Sequence, residues 1–252
     1  MRPYAFLLIF LTILCCSKKN DSSTELEILF TQSWSGQPIT AADFNAIQFR
    51  NAAGELLSIE RLRYLISDLR LQLKNGEELP IKAYHLIDLQ KQESLSLKQM
   101  TFVAPDQIEA LVFIFGFDNE SNTDGAYPEL NSAVWNVPRS LVGGYHFMQL
   151  DGKFEDSQGG IQPYNFHAIR AADHTDPIAL VFEDTYFELR LPVQNSISRG
   201  LYEINMDVSE WFDTPNLWRL ELDSTGLMTN FEAQKKLAEN GKTVFSIRNS
   251  NQ

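Results

Sequence analysis

Gly143-Gly144-Tyr145-His146-Phe147-Met148-Gln149-Leu150-Asp151-Gly152, followed shortly by Tyr164-Asn165-Phe166-His167, reads as two β-strands, and it holds two of the four histidines and one of the five methionines. Period-2 alternation over an extended Gly144 to Phe154 segment puts His146, Met148 and Leu150 on one face and Tyr145, Phe147 and Gln149 on the other. An imidazole and a thioether pointing the same way form half of a soft metal site, because such donors favour copper, Cu(I) above all, over hard cations. His167 joins them if the two strands are neighbours in one sheet. The plainer reading keeps the same residues as strand positions at the edge of a core, with Met148 filling space through its flexible thioether.

Further strands extend the pattern on both sides. Leu26 to Gln32 alternates with Leu26, Ile28 and Phe30 facing one way. Ile59 to Leu73 fits a long strand with an irregularity near Ser67, and the Asn75-Gly76 turn leads it into Leu79 to Leu89 as a hairpin. Ile108 to Phe117, Pro163 to Ile169, Ile178 to Phe182, Tyr186 to Val193 and Leu201 to Val208 follow, separated by turns. This recurrence predicts an all-β fold, a β-sandwich of antiparallel strands. One short C-terminal helix is expected, capped by Asn230, running from Phe231 to Glu239 and stopped by Asn240-Gly241 before a last strand, Thr243 to Ile247.

The long Asp118 to Leu141 segment interrupts the rhythm and is expected to be a functional loop or to fold back over the core. Its Glu120 to Gly125 stretch imitates the start of an EF-hand loop, but Asn131 stands where a bidentate glutamate closes such a site, so an Asx-rich turn is the better reading.

At the N-terminus, Arg2 precedes the apolar run Phe6 to Leu14, which stops at Cys15-Cys16-Ser17. That run is too short to span a bilayer and has the layout of a secretory leader. Residues 1–16 resemble a bacterial lipoprotein signal ending at Cys16, the lipidation site. A polar tether, residues 17–24, leads into a domain expected over residues 25–249. Both cysteines lie in the leader, so the mature domain is expected to have no disulfide, no zinc thiolate site and no catalytic cysteine.

A hydrophobic content of 44% with 12% aromatic residues suffices for a sizeable core, and a net charge of −12 argues against nucleic acid as a partner. No Gly-x-Ser-x-Gly elbow, His-Glu-x-x-His helix or phosphate-binding glycine loop is present, which points to a binding protein and not an enzyme. Of the other histidines, His85 alternates with Ile87 and Leu89 and reads as buried and hydrogen-bonded. His174, between acidic residues, reads as solvated.

Several segments together resemble a known family. Leu62-Arg-Tyr64-Leu-Ile-Ser67-Asp-Leu-Arg-Leu71, Phe115-Gly116-Phe117-Asp118, Gly125-Ala-Tyr127-Pro128-Glu-Leu130-Asn131, Trp135, the Gly143 to Gly152 run and Asn165-Phe166-His167 follow one another as they do in the MbnP-like family. Leu237 to Gly241 and Val244-Phe245-Ser246 match its closing helix and strand, and Met228, in the turn after Thr225-Gly226, lies in a loop where that family often carries methionine, which implies a further sulfur ligand. The resemblance implies an exported β-sandwich, often a lipoprotein, and copper binding, with His146 and His167 at the matching histidine positions. It also implies that a tryptophan, here Trp135, can be oxidised by a partner dihaem protein related to cytochrome c peroxidases.

The expectation is therefore a lipid-anchored envelope protein at the outer membrane, facing the periplasm or the exterior. Its expected task is copper handling through His146, His167 and Met148. The alternative is a protein- or glycan-binding lipoprotein that uses the Asp118 to Leu141 loop and whose histidines are structural.

Overall fold

In the computed structural model, residues 23–176, 178–193 and 200–248 are described. Cys16, the leader and the tether up to residue 22 lie outside the described residues, as does residue 249.

Two sheets face each other. The smaller has strands Thr24–Trp34, Gln37–Ile39, Ser96–Thr101, Leu201–Asp207 and Phe245–Arg248. The larger is centred on strand Arg61–Leu73, whose one edge pairs with Glu78–Asp88 along most of its length. Its other edge is shared. Residues Arg61 to Tyr64 pair with Met148–Glu155, and Ile66 to Leu73 pair with Ile108–Phe115. Strand Ile161–Ala168 then pairs outside Met148–Glu155, and Phe187–Pro192 outside Ile108–Phe115.

The irregularity expected near Ser67 is real. Leu62, Tyr64 and Ile66 are buried on even positions, whereas Leu69, Leu71 and Leu73 are buried on odd ones. Asp68, with φ 48°, is the extra residue that shifts the phase; the register with Ile108–Phe115 slips across it, between Ser67 and Arg70, and that with Glu78–Asp88 slips just after it, between Leu69 and Arg70. Without that bulge half of the strand would turn its leucines to solvent.

The core fills the space between the sheets. Phe245, on the smaller sheet, packs against Tyr64, Phe113 and Phe115 of the larger at centroid distances of 5.8, 5.4 and 5.9 Å. Gln32 donates from Nε2 to the Tyr64 hydroxyl at 3.0 Å, satisfying a buried pair across the layers. Helix Phe231–Gly241 closes one end, with Asn230 accepting from the Ala233 amide at 3.1 Å as its N-cap.

Two features depart from expectation. Thr24–Trp34 and Leu201–Asp207 run parallel, in a sandwich otherwise antiparallel. The strand expected over Ile178 to Phe182 is reduced to Val181–Glu183, paired with Ala171–Asp173, and Ile178 is exposed. The Asp118 to Leu141 segment folds back over the protein, one of the two expectations for it: it contains helix Pro128–Ser132 and a 3-10 turn, Arg139–Leu141, and it buries Leu130, Trp135 and Val137.

Candidate metal centre

The register of the paired strands fixes what each face carries. Ala168 opposes Met148, Phe166 opposes Leu150, and Leu62 and Tyr64 oppose Leu150 and Met148 from the other side. All of these lie in the core. The alternate positions form an outer face on which His167 opposes Gln149, Asn165 opposes Asp151, and Arg63 and Arg61 complete the row.

His146 joins this outer face. Its ring lies 5.3 Å from that of His167, centroid to centroid, at an interplanar angle of 85°. The expected alternation of His146 with Met148 fails because the backbone before Met148 is not a regular strand. Gly143 and Gly144 have φ of 69° and 78°, Tyr145 bridges back to Asn136, and Phe147 and Met148 are both fully buried in succession. A side chain at Gly144 would lie within 2.6 Å of Asn122 Oδ1, the atom that accepts from the Tyr145 amide at 2.9 Å. The two glycines thus let the Asp118 to Leu141 segment cross over the outer face and deliver Trp135 to the histidines. The consequence is a correction to the candidate ligand set: Met148 faces the core, with the sheet between its sulfur and the two imidazoles.

Hydrogen bonds place one proton on each ring. His146 Nδ1 lies 3.0 Å from the Trp135 carbonyl oxygen, which can only accept, so Nδ1 carries the proton and Nε2 keeps its lone pair. Burial pushes the His146 imidazole down to about 4, against a smaller opposing effect of that hydrogen bond, so the ring is neutral near pH 7. His167 donates from Nε2 to Asp151 Oδ1 at 2.7 Å, leaving Nδ1 buried and without a partner. Burial alone would raise the Asp151 carboxyl, but the hydrogen bonds from His167 and Asn165 and the charge of Arg61 hold it below the usual range. This is the arrangement by which a carboxylate orients a ligating imidazole and raises its basicity.

Six buried side-chain polar atoms lack a hydrogen-bond partner among the described residues, and three of them, Arg63 Nε, Trp135 Nε1 and His167 Nδ1, belong to this one cluster. Of the three only His167 Nδ1 can offer a lone pair to a metal; Arg63 Nε and Trp135 Nε1 are N–H donors that call for an acceptor such as water. The donor set fits a soft, low-coordinate ion. Nitrogen bonds of about 2 Å put the ring centroids about 6.3 Å apart in a linear arrangement and about 5 to 5.5 Å apart at bond angles near 110 to 120°, so the observed separation of 5.3 Å fits a bent arrangement with room for a further ligand. Among the described residues no group of three or more His, Cys, Asp or Glu side chains could hold a metal, so the four ligands of a structural zinc site are not assembled.

The remaining candidates lie elsewhere. His85 donates from Nε2 to the Ser94 carbonyl at 2.8 Å and packs on Phe30. His174 is exposed. Met228 is half-buried on the 3-10 turn Leu227–Thr229. In the calcium-like stretch, Asp118 accepts from the Ser121 amide, Asn122 from Tyr145, and Asp124 from Arg139, which are turn and bracing roles. Sequence reasoning missed Arg63, Gln149 and Asp151. Their signal was the alternation opposite Leu62, Tyr64 and Leu150, readable once those residues were assigned to the core.

A family model for MbnP matches residues 23–229 of this chain. Among solved structures, MbnP from Methylosinus trichosporium is similar with a TM-score of 0.60 at 11% identity, covering 90% of this chain and 98% of that one, a likeness of fold. No curated protein matches.

Proposed function

We propose, on the premise that this chain belongs to the MbnP family, that it is a copper-binding protein which holds Cu(I) between His146 Nε2 and His167 Nδ1. The observation that carries the reading is the pair of neighbouring imidazoles, each tied down through one nitrogen and each with the other free. Bound copper would supply a soft, polarisable Lewis acid that tolerates two nitrogen donors. The chain's own part is orientation. Trp135 and Asp151 fix the two tautomers, Gln149 and Arg63 brace the floor through their mutual hydrogen bond, and the crossing segment limits water access, leaving His146 only 5% exposed.

The address in this proposal rests on the leader: export, lipidation at Cys16 and retention at the outer membrane. A dihaem cytochrome c peroxidase-like protein is the redox partner it envisages. Trp135, 5.6 Å from His146 between ring centroids, is the residue such a partner would modify. The proposal assigns no catalytic role to the chain itself.

Copper analysis of protein produced in copper-supplemented medium tests the reading. The wild type is expected to retain about one copper per chain and the His146→Ala and His167→Ala variants almost none. Equal copper in all three would end the proposal.

A further inference from the structure

Arg63 is the unusual neighbour of the histidine pair. Its guanidinium carbon stands 5.0 Å from the centre of the Trp135 ring. One terminal nitrogen donates to the Ala133 carbonyl at 3.1 Å and the other to Gln149 Oε1. These contacts hold the cation in place beneath the crossing segment. No carboxylate neutralises it by direct contact: Arg63 forms no ion pair among the described residues. Asp151 is shared between Arg61, at 3.4 Å, and His167. Asp88, across the sheet in register with Arg63, spends its Oδ1 on the Gln90 amide.

Arg63 and His146 stand against the same Trp135 ring, 5.0 Å and 5.6 Å from its centre, so the fixed charge lies beside the imidazole pair. Beside the two imidazoles the nearest carboxylate, Asp151, is hydrogen-bonded to His167 and already paired with a second guanidinium, that of Arg61. A cation entering between the imidazoles therefore meets a repulsion proportional to its own valence, and in a partly buried site that repulsion is weakly screened.

We infer that Arg63 is the specificity-determining residue of this centre: its fixed charge selects monovalent soft ions over divalent ones, admitting Cu(I) or Ag(I) and rejecting Cu(II) and Zn(II). The inference rests on the reading of His146 and His167 as ligands. Each unit of ionic charge is penalised once, so removing Arg63 helps a divalent ion about twice as much, on a logarithmic scale, as a monovalent one.

The test measures Ag(I) and Cu(II) affinities by calorimetry on the folded protein, Ag(I) serving as a monovalent probe that does not change oxidation state. Arg63→Gln is expected to raise the Cu(II)-to-Ag(I) affinity ratio tenfold or more, while Arg63→Lys keeps the ratio near that of the wild type. Arg63→Met, which fills the same space against Trp135 without charge, gives the same readout where the Gln variant is less stable. A ratio within twofold of wild type in both uncharged variants, with Ag(I) still bound, overturns the inference and leaves the histidine site standing. Absence of Ag(I) binding by the wild type overturns the histidine site itself, and this inference with it.

Discussion

Strands Met148–Glu155 and Ile161–Ala168 present two faces built on opposite terms. On the inner face Met148, Leu150, Phe166 and Ala168 meet only core neighbours, and the buried Tyr164 hydroxyl donates to the Ser58 carbonyl at 2.7 Å. On the outer face, a single residue away along the same backbone, stand Gln149, Asp151, His167 and the incoming His146, with unpartnered nitrogen atoms in their midst. One face has every requirement met within the chain; the other has donors in place and a partner missing. The difference separates residues that hold the fold from residues free to bind, and it does so more sharply than residue type. Met148 carries a ligand-grade sulfur and belongs to the fold, whereas Gln149 and Arg63, poor ligands both, belong to the site.

The comparison breaks first at Met148. Met148→Ala empties a fully buried position and is expected to cost about 2 to 5 kcal/mol of stability, measured by urea unfolding, while Ag(I) affinity of the folded variant stays within a few-fold of wild type. A large loss of affinity with little loss of stability would return the sulfur to the ligand set.

A smaller effect sharpens the outer face. Because burial holds His146 near 4 while an unfolded histidine titrates near 6.5, the unfolded chain binds a proton between those values that the folded chain does not. Stability from this group is thus complete above about pH 6.5 and is lost as pH falls towards 4, by at most about 3 kcal/mol. In metal-free protein, His146→Asn should lose correspondingly less stability than wild type between pH 7 and pH 4. His85, also lowered by burial, titrates in both proteins and cancels. Identical pH profiles would mean that the His146 ring is solvated and not held neutral.

Much of this architecture was legible in the residues. The alternation of Leu26, Ile28 and Phe30, the phase slip at Ser67-Asp68, the Asn75-Gly76 turn and the Asn230 cap are local signals, and each appears where local physics puts it. The pairing of His146 with His167 was conditional on two strands being neighbours, and they are. The side on which His146 falls was not legible, because period 2 assumes a regular ladder, and consecutive left-handed glycines with a bend at Phe147 end that ladder two residues early. Nor were the parallel pairing of Thr24–Trp34 and the crossing of Trp135 over the sheet. Both depend on contacts distant in sequence, 11 residues from Trp135 to His146 and over 170 from Thr31 to Asn205. Arg63 hid for a related reason: within its own strand it reads as a solvent-facing charge, and only the crossing segment makes it part of a site.

The central claim is that two imidazoles on the outer face, without the inner sulfur, form the metal centre. X-ray absorption at the copper edge of Cu(I)-loaded wild-type protein tests it most directly. The account predicts two nitrogen scatterers at about 2 Å with the multiple-scattering signature of imidazole and no sulfur shell. A sulfur scatterer near about 2.3 Å, the length of a metal–sulfur bond, would contradict it.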